Sequence, residues 1–217
     1  MPTPVIAIDG PAASGKGTLA KRLASDMGYD HLDTGLLYRA VAKKIVDAGG
    51  DPGDVVVASA MAKTLSVSDL EVPGLRGEAI GKAASICSCI SEVRQALLEY
   101  QVDFAANPPS GKGAVLDGRD IGTTVCPNAE LKIWMTASAA IRARRRQAED
   151  PQGPPYVEIL AAIEERDHRE RGRAVSPMIP AHDARLIDTT ELTAAQALAT
   201  AREWVEQIPS PRKGPKP

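Results

Sequence analysis

The feature that most constrains this chain is the run VIAIDGPAASGKGT, which covers residues 5–18. It contains the pattern GxxxxGK between Gly10 and Lys16, which is typical of a loop that wraps nucleotide phosphates. Glycines let successive backbone N–H groups point into one concavity, and the following helix adds its free N-terminal donors and its dipole. An apolar stretch, Val5 to Ile8, precedes the loop, and the apolar stripe of a helix follows between Leu19 and Met27. The sequence therefore predicts a strand, a phosphate-binding loop and a helix, in that order.

The residue after the lysine distinguishes classes of phosphate-binding loop. In the common form it is Ser or Thr, whose hydroxyl contacts Mg²⁺, but here Gly17 occupies that position and Thr18 follows. A GKGT ending preceded by a proline resembles the nucleoside monophosphate kinases rather than GTPase switches or motor ATPases. We therefore expect ATP as phosphoryl donor, with Mg²⁺. The residues expected to bind its phosphates are Gly10, Pro11, Ala12, Ala13, Ser14, Gly15, Lys16, Gly17 and Thr18.

The composition favours one α/β domain and argues against a nucleic-acid-binding protein. Only 3% of the 217 residues are aromatic, so there are few side chains on which bases could stack, and a net charge of -2 gives no general attraction to nucleic acid or membrane. The cysteines, Cys87, Cys89 and Cys126, match neither a disulfide framework nor a zinc pattern and are interpreted as reduced, mostly buried thiols. Without a leader or an apolar segment of membrane-spanning length, we expect a cytoplasmic protein, and a monomer.

Four further segments are expected to be short buried strands. They are Asp30–Asp33, Ala114–Leu116, Leu131–Met135 and Leu186–Asp188. Because helical patterns lie between them, the chain alternates strand and helix, which predicts a parallel sheet with helices on both faces.

Three regions depart from this alternation. Residues 47–81 are rich in small residues and are predicted to be an insertion with one short helix near Val55–Lys63. The segment PQGPP, residues 151–155, separates an arginine-rich helix from a charged one and is expected to be the tip of a mobile flap. The tail at 209–217, PSPRKGPKP, has nothing apolar to bury and is predicted to be disordered.

Arginines outside the loop are the next candidates for function, because phosphoryl transfer depends on positioning anions and neutralising their charge. In HLDTGLLYR, residues 31–39, a strand end precedes a helix, so Thr34 and Arg39 are expected to face a crevice at the carboxyl ends of the strands. A simple N-cap role for Asp33 or Thr34 is an equal alternative.

Two other segments place charge where a ligand would bind. In AVLDGRDIGT, residues 114–123, Asp117 is a candidate carboxylate near Mg²⁺, and Arg119 and Asp120 are candidate substrate ligands. The segments RARRRQAED and ERDHRERGR flank the proline-rich tip, and the surplus of arginine over acid in residues 142–146 favours a flap that closes over phosphates. A solvated helix face, with Glu165 and Arg169 as an i,i+4 pair, is the alternative.

Taken together, these motifs resemble the bacterial cytidylate kinases, which transfer a phosphoryl group from ATP to CMP or dCMP. The chain carries IDGPAASGKGT, LDTGLLYR, AASICSCISEVRQAL, LDGRDIGT and ERDHRERGRAVSP, followed by DARLIDTT, in the order of that family and over nearly its whole length. The resemblance implies a P-loop nucleotide kinase fold with a five-stranded parallel sheet flanked by helices. It also implies an acceptor-binding insertion at about residues 36–105 and a short lid at about 147–165.

The resemblance further implies individual roles. The acceptor phosphate is assigned to Thr34, Arg39, Arg119 and Arg173; the cytosine edge to Ser85, Arg94 and Asp120; and the sugar region to Tyr38, Arg166 and Glu170. Arg142 and Arg145 match the arginines of the lid helix that contact ATP. Catalysis is assigned to Lys16, Arg119, Arg166 and Arg173, whereas the metal ligands are left open.

Two departures from the family pattern bear on selectivity. Glu170 occupies a position where an aspartate usually contacts the sugar hydroxyls, so the preference between CMP and dCMP stays open. The insertion after Asp47 is shorter than usual and is expected to lack much of a β-hairpin. Two alternatives remain: a kinase of UMP or AMP, and a non-catalytic P-loop protein that uses its basic tail on RNA. The trio Ser85, Arg94 and Asp120 argues against the first, and the lack of an NKxD guanine motif argues against a GTPase-like switch.

Overall fold

The computed structural model describes residues 3–208, and the predicted disordered tail at 209–217 lies outside the described residues. A parallel sheet of order β2-β3-β1-β4-β5 forms its centre. Its strands are β1 Val5–Asp9, β2 Asp30–Asp33, β3 Ala114–Gly118, β4 Leu131–Thr136 and β5 Arg185–Asp188. The α-helices are α1 Lys16–Met27, α2 Thr34–Asp47, α3 Val55–Lys63, α4 Glu78–Cys87, α5 Ser91–Ala106, α6 Ala139–Glu149, α7 Tyr156–Arg171 and α8 Ala194–Glu206. The predicted five-stranded parallel sheet is confirmed.

The central strand β1 is buried because helices cover both faces of the sheet, as parallel sheets require. Ile6 and Ile8 face α1 and α8, where they pack with Leu23 and Ala201. Ala7 faces the opposite side and packs in a separate apolar cluster with Leu116. This arrangement holds the carboxyl end of β1 at the centre of the sheet. The phosphate-binding loop, which follows β1 directly, therefore also starts there.

The segment between β2 and β3 is helical and has an apolar core of its own. Leu37, Val41 and Leu97 pack together there with residues of α3 and α4. The predicted helix Val55–Lys63 is confirmed, and a short 3₁₀ turn, Val67–Leu70, follows it. The described residues between β2 and β3 form helices and turns without a strand, as expected for an insertion that lacks its β-hairpin.

Helices α6 and α7 pack together as a hairpin joined by the loop 150–155. Ala143, Ile159 and Ile163 make a small apolar cluster between them. The prediction of mostly buried thiols is wrong for Cys89, which is exposed, whereas Cys87 is buried. No helix within residues 3–208 is long and apolar enough to cross a membrane.

Candidate active site

The loop between β1 and α1 needs glycine at its first position. Gly10 has φ +151°, and a Cβ there would lie 1.9 Å from the carbonyl oxygen of Met135, a backbone atom of β4. Gly15 has φ +94° directly before α1, in the left-handed region that favours glycine. The loop can therefore pass close to β4 and turn its N–H groups toward the N-terminus of α1, where they form an anion-binding concavity.

A donor cavity of about 810 Å³ opens above this loop. The loop residues that line it are Ala13, Ser14, Gly15, Lys16, Gly17 and Thr18. Of the other predicted donor residues, Ala12 lines a neighbouring cavity, and Gly10 and Pro11 shape the loop without lining the donor cavity. The cavity has the volume of a small-molecule site.

Lys16 is a buried cation at the floor of the donor cavity. Its side chain is 9% exposed, and Nζ lies 3.4 Å from the carbonyl oxygen of Pro11. Burial lowers the pKa of Lys16 to about 7, and the charge of Arg119 adds to that shift, against the carboxylates of Asp117 and Glu170. An anion in the cavity would favour the protonated form.

An acceptor cavity of about 210 Å³ adjoins the donor cavity, and Lys16 lines both. Nine of the ten residues predicted to bind the acceptor line it. They are Thr34, Tyr38, Arg39, Arg94, Arg119, Asp120, Arg166, Glu170 and Arg173. The structure thus brings together residues from α2, α5, α7 and the segment after β3.

Arg173 is a buried cation of this cavity whose guanidinium has unpaired donors in the described part of the chain. It is 8% exposed, and its Nε and Nη2 have no hydrogen-bond partner among residues 3–208. Burial and the nearby charge of Arg94 lower its pKa. A buried guanidinium with free donors is costly unless a ligand satisfies it, so its position marks an anion site.

Glu170 holds two other arginines of the cavity in place. Its carboxylate accepts from Arg119 Nε at 2.5 Å and from Arg166 Nε at 2.7 Å, and Ser85 Oγ lies 3.4 Å from Oε1. Burial alone would raise the pKa of Glu170, but the two arginines outweigh it and hold the pKa well below its usual range. The carboxylate is therefore ionised and fixes the direction of both guanidinium groups.

Arg94 and Asp120 form a buried ion pair at the far end of the cavity. Arg94 also donates from Nη1 to the carbonyl oxygen of Ser88, and its guanidinium lies 5.5 Å from the centre of the Tyr38 ring. A base placed here would meet both a carboxylate acceptor and guanidinium donors.

Ser85, the third predicted base ligand, is not part of that arrangement. Its hydroxyl contacts Glu170 and accepts from Arg169 Nη1 at 3.1 Å, and it lines a third cavity of about 440 Å³ between α4 and α7. The predicted pair Glu165–Arg169 is present and orients Arg169 toward Ser85. Among the described residues, the Ser85 hydroxyl therefore contacts Glu170 and Arg169 rather than the Arg94–Asp120 pair.

The two predicted lid arginines bind the protein itself. Arg142 is paired with buried Asp167 at 2.7 Å and donates to the carbonyl oxygen of Ala12 at 3.3 Å, and it lies outside the donor cavity lining. The expected shortage of acids around residues 142–146 is wrong for Arg142, because α7 supplies Asp167 across the hairpin. Arg145 lines the donor cavity and donates from Nη2 to the carbonyl oxygen of Thr189 at 2.6 Å.

Two arginines that had no assigned role line all three cavities: Arg76 and Arg146. Arg76 Nη2 lies 2.8 Å from Asp33 Oδ2, across the junction of donor and acceptor cavities. Its loop is held there because Arg39 Nη1 donates to the carbonyl oxygen of Leu75 at 2.7 Å. Arg146 belongs to the arginine-rich run 142–146, which the sequence already indicates as a candidate for function. No local sequence pattern distinguishes Arg76.

The alternative of a simple N-cap at the end of β2 is wrong, because neither Asp33 nor Thr34 caps α2 with its side chain. Asp33 makes no side-chain capping bond to α2, and Thr34 Oγ1 donates instead to the carbonyl oxygen of Asp117 at 2.8 Å. Asp117 is buried, its Oδ2 lies 2.8 Å from His31 Nε2, and its Oδ1 lies 3.9 Å from where a Cβ on Gly17 would be. Residues 3–208 contain no group of three or more acidic, histidine or cysteine side chains that could hold a metal by themselves.

A glycine-rich loop at the centre of a parallel sheet, with a donor and an arginine-lined acceptor cavity meeting at Lys16, defines a P-loop kinase. Residues 6–207 match the family model described as cytidylate kinase. The chain belongs to the cytidylate kinase family.

Curated relatives agree with this assignment. The chain is 54% identical over 200 residues to the cytidylate kinase of Paramagnetospirillum magneticum, which covers 91% of this chain and 95% of the relative. It is 53% identical over 201 residues to the cytidylate kinase of Rhodospirillum rubrum, covering 91% and 94%. It is 50% identical over 212 residues to that of Rhodopseudomonas palustris, covering 96% and 99%.

Solved structures share the fold at much lower identity. Shikimate kinase from Bacteroides thetaiotaomicron aligns with a TM-score of 0.50 and 14% identity, over 94% of this chain and 98% of that chain. An uncharacterised protein from Eubacterium ventriosum aligns with a TM-score of 0.55 and 13% identity, over 94% and 99%. These similarities support the P-loop kinase fold alone.

Proposed function

We propose that this chain transfers the γ-phosphoryl group of ATP to CMP or dCMP, giving ADP and CDP or dCDP. The observation that carries the proposal is the buried guanidinium of Arg173, whose Nε and Nη2 lack partners within the described chain. It lies in a cavity that shares Lys16 with the donor site, so an anion bound at Arg173 would approach the end of the donor polyphosphate. The names of the curated relatives point to the same reaction.

The chemistry needed from the protein is mainly electrostatic. Phosphoryl transfer spreads negative charge over the transferred group, and fixed cations stabilise that charge without reorganising. Arg119 and Arg166, held by Glu170, and Arg39, held by backbone carbonyls, are such fixed cations. Together with Lys16 at the junction of the cavities, these arginines would bind the acceptor phosphate and stabilise the phosphoryl group during its transfer.

Selection of cytosine is assigned to the Arg94–Asp120 pair. The Asp120 carboxylate would accept from the amino group at C4, and Arg94 would donate to N3 or O2. Uracil carries a carbonyl where cytosine carries the amino group, so it would face the carboxylate without a hydrogen bond. Ser85 would join them only if its hydroxyl left Glu170 and Arg169, and we propose that it does so on closure around the base.

Mg²⁺ would accompany ATP. This ion prefers oxygen ligands, keeps several waters and takes much of its coordination from substrate phosphates, so one protein carboxylate suffices. Asp117, with an oxygen facing Gly17 of the loop, is the residue we assign to it. We further propose a monomer, because residues of one chain build both cavities, and a cytoplasmic reaction, where ATP is available.

The direct test is a panel of nucleoside monophosphates, with ATP and Mg²⁺, in a coupled assay for ADP release. CMP and dCMP should be phosphorylated with much higher kcat/KM than UMP or AMP. Equal turnover of UMP or AMP would refute the assignment of cytosine selectivity, and RNA binding without any transfer would indicate a non-catalytic protein.

A matched pair of variants tests the role of Arg173. Arg173→Lys removes the planar fork and should lower kcat/KM for CMP by about 100-fold, with binding of ATP retained. Arg144→Lys is the control, because Arg144 is exposed on α6 and lines none of the three cavities. Equal effects of both substitutions would remove Arg173 from the acceptor site.

A further inference from the structure

Asp9, the last residue of β1, connects the donor loop to the segment that carries two acceptor-site side chains. Its Oδ1 accepts from the backbone N–H of Ile121 at 2.8 Å, and its Oδ2 accepts from that of Gly122 at 2.7 Å. The phosphate-binding loop begins at the residue after Asp9. On the other side, Ile121 directly follows Arg119 and Asp120.

The two N–H groups are the main groups that compensate the negative charge of the buried Asp9 carboxylate. The side chain is 4% exposed, and no cation within residues 3–208 lies at ion-pair distance from it. Lys132 passes close by on β4, but its Nζ lies 2.9 Å from Asp183. A buried carboxylate that is satisfied only by backbone donors holds them firmly, because losing either bond leaves charge uncompensated.

The N–H groups of Ile121 and Gly122 begin an unusual wide helical turn, Ile121–Val125, with Asp120 at its N-cap position. The first N–H groups of a helical turn have no partner within it, and Asp120 itself offers no capping bond there. Asp9 supplies the missing acceptors from the neighbouring strand. Wide helical turns of this type are rare and are frequently found at functional sites.

We propose that Asp9 is a positioning residue for phosphoryl transfer: its carboxylate fixes the start of this turn and thereby directs Arg119 and Asp120 into the acceptor cavity. Because the donor loop starts at the adjacent residue, one side chain sets the spacing between donor and acceptor. This inference rests on the acceptor-binding roles proposed above for Arg119 and Asp120.

The protonation state of Asp9 gives the inference a pH signature. Burial raises the pKa of Asp9 to about 7, although the N–H groups of Gly122 and Ile121 oppose that shift. The charged and titratable groups that face it are Asp120, Arg119, Lys132 and Cys126. A protonated carboxyl has one oxygen that must donate, so it cannot hold both N–H groups equally well. The turn should therefore loosen as the pH falls through about 7.

Asp9→Asn tests the proposal in the full-length protein. The amide keeps the size of the side chain but offers one acceptor oxygen, so kcat/KM for CMP should fall by about 10- to 100-fold while the Kd for ATP changes by less than about twofold. The component of the acid limb of kcat/KM for CMP with a pKa of about 7 should disappear, because the amide does not titrate. The component with a pKa of about 6 that comes from the phosphate of CMP should remain. Asp30→Asn is the matched control, since Asp30 of β2 likewise accepts from a backbone N–H, that of Ser110 at 2.7 Å, without touching the turn, and it should keep the pKa of the wild-type acid limb.

A second readout is independent of catalysis. In NMR spectra of the wild-type protein, the amide resonances of Ile121 and Gly122 should titrate with a pKa of about 7 and lose this titration in Asp9→Asn. Failure of the wild type to phosphorylate CMP would refute the proposed function while the amide titration still tests the contact. The positioning role is overturned if Asp9→Asn weakens the binding of ATP and CMP equally, if the acid limb keeps its wild-type component with a pKa of about 7, or if the two amides do not titrate.

Discussion

The pKa of Lys16 makes a quantitative prediction about ATP binding. In the free protein, burial and Arg119 lower that pKa to about 7, so the lysine is mostly neutral in alkaline solution. ATP phosphates bind the protonated form, and binding must therefore take up a proton. For a pKa of about 7, the uptake is about 0.5 proton at pH 7 and about 0.9 proton at pH 8.

The same equilibrium sets how affinity changes with pH. If only the protonated form binds, the apparent Kd for MgATP rises about 8-fold between about pH 7.5 and about pH 8.5. With the ordinary lysine pKa of 10.5, affinity would be constant over that range. Isothermal titration calorimetry in two buffers of different ionisation enthalpy, at matched pH, measures the proton uptake directly.

Variants separate Lys16 from other titrating groups. Lys16→Met should abolish proton uptake as well as transfer, whereas Lys21→Met should keep the uptake, because Lys21 is an exposed lysine that lines the same cavity. A pH-independent Kd in the wild type, or proton uptake that persists in Lys16→Met, would refute the reasoning.

Three other substitutions have definite expected outcomes. Glu170→Asp shortens the acidic side chain that anchors Arg119 and Arg166. It should therefore change the ratio of kcat/KM for CMP to kcat/KM for dCMP. An unchanged ratio would show that Glu170 does not contact the sugar. Asp167→Asn leaves the buried Arg142 unpaired and should lower the free energy of unfolding by about 3 to 5 kcal/mol in urea titrations, whereas a loss below about 1 kcal/mol would contradict a buried pair. Gly10→Ala places a Cβ 1.9 Å from a backbone oxygen of β4, so ATP binding measured by calorimetry should be lost, and retained affinity would show that the loop can move.

Local patterns predicted the elements that depend on neighbouring residues. The strand, loop and helix of residues 5–27 follow from apolar spacing and glycine positions, and all three are present. At the start of α8, Thr193 and Gln196 form a capping box between residues only three positions apart. Such features form because their partners lie within a few residues of one another along the chain.

Contacts between distant segments could not be read from the sequence in the same way. Asp167 balances Arg142 from a position 25 residues away, and Glu170 anchors Arg119 from 51 residues away. The motifs showed that these side chains were charged but not which of them were paired. The resemblance assigns Ser85 to the base, and this stays a prediction; the sequence could not show that α7 places Arg169 and Glu170 around its hydroxyl.

The distribution of acidic partners distinguishes structural cations from those that await a ligand. Glu170 and Asp120 neutralise buried arginines, and this fixes the walls of the acceptor cavity. Lys16 and Arg173 are equally buried but have no carboxylate at ion-pair distance among the described residues, and burial lowers the pKa of each. An unpaired buried cation destabilises the free protein, and a bound phosphate removes that penalty. The positions of Lys16 and Arg173, where a buried cation lacks a carboxylate partner, are therefore the positions where the donor and acceptor phosphates are proposed to bind. Each nucleotide, bound without the other, should raise the free energy of unfolding of the protein.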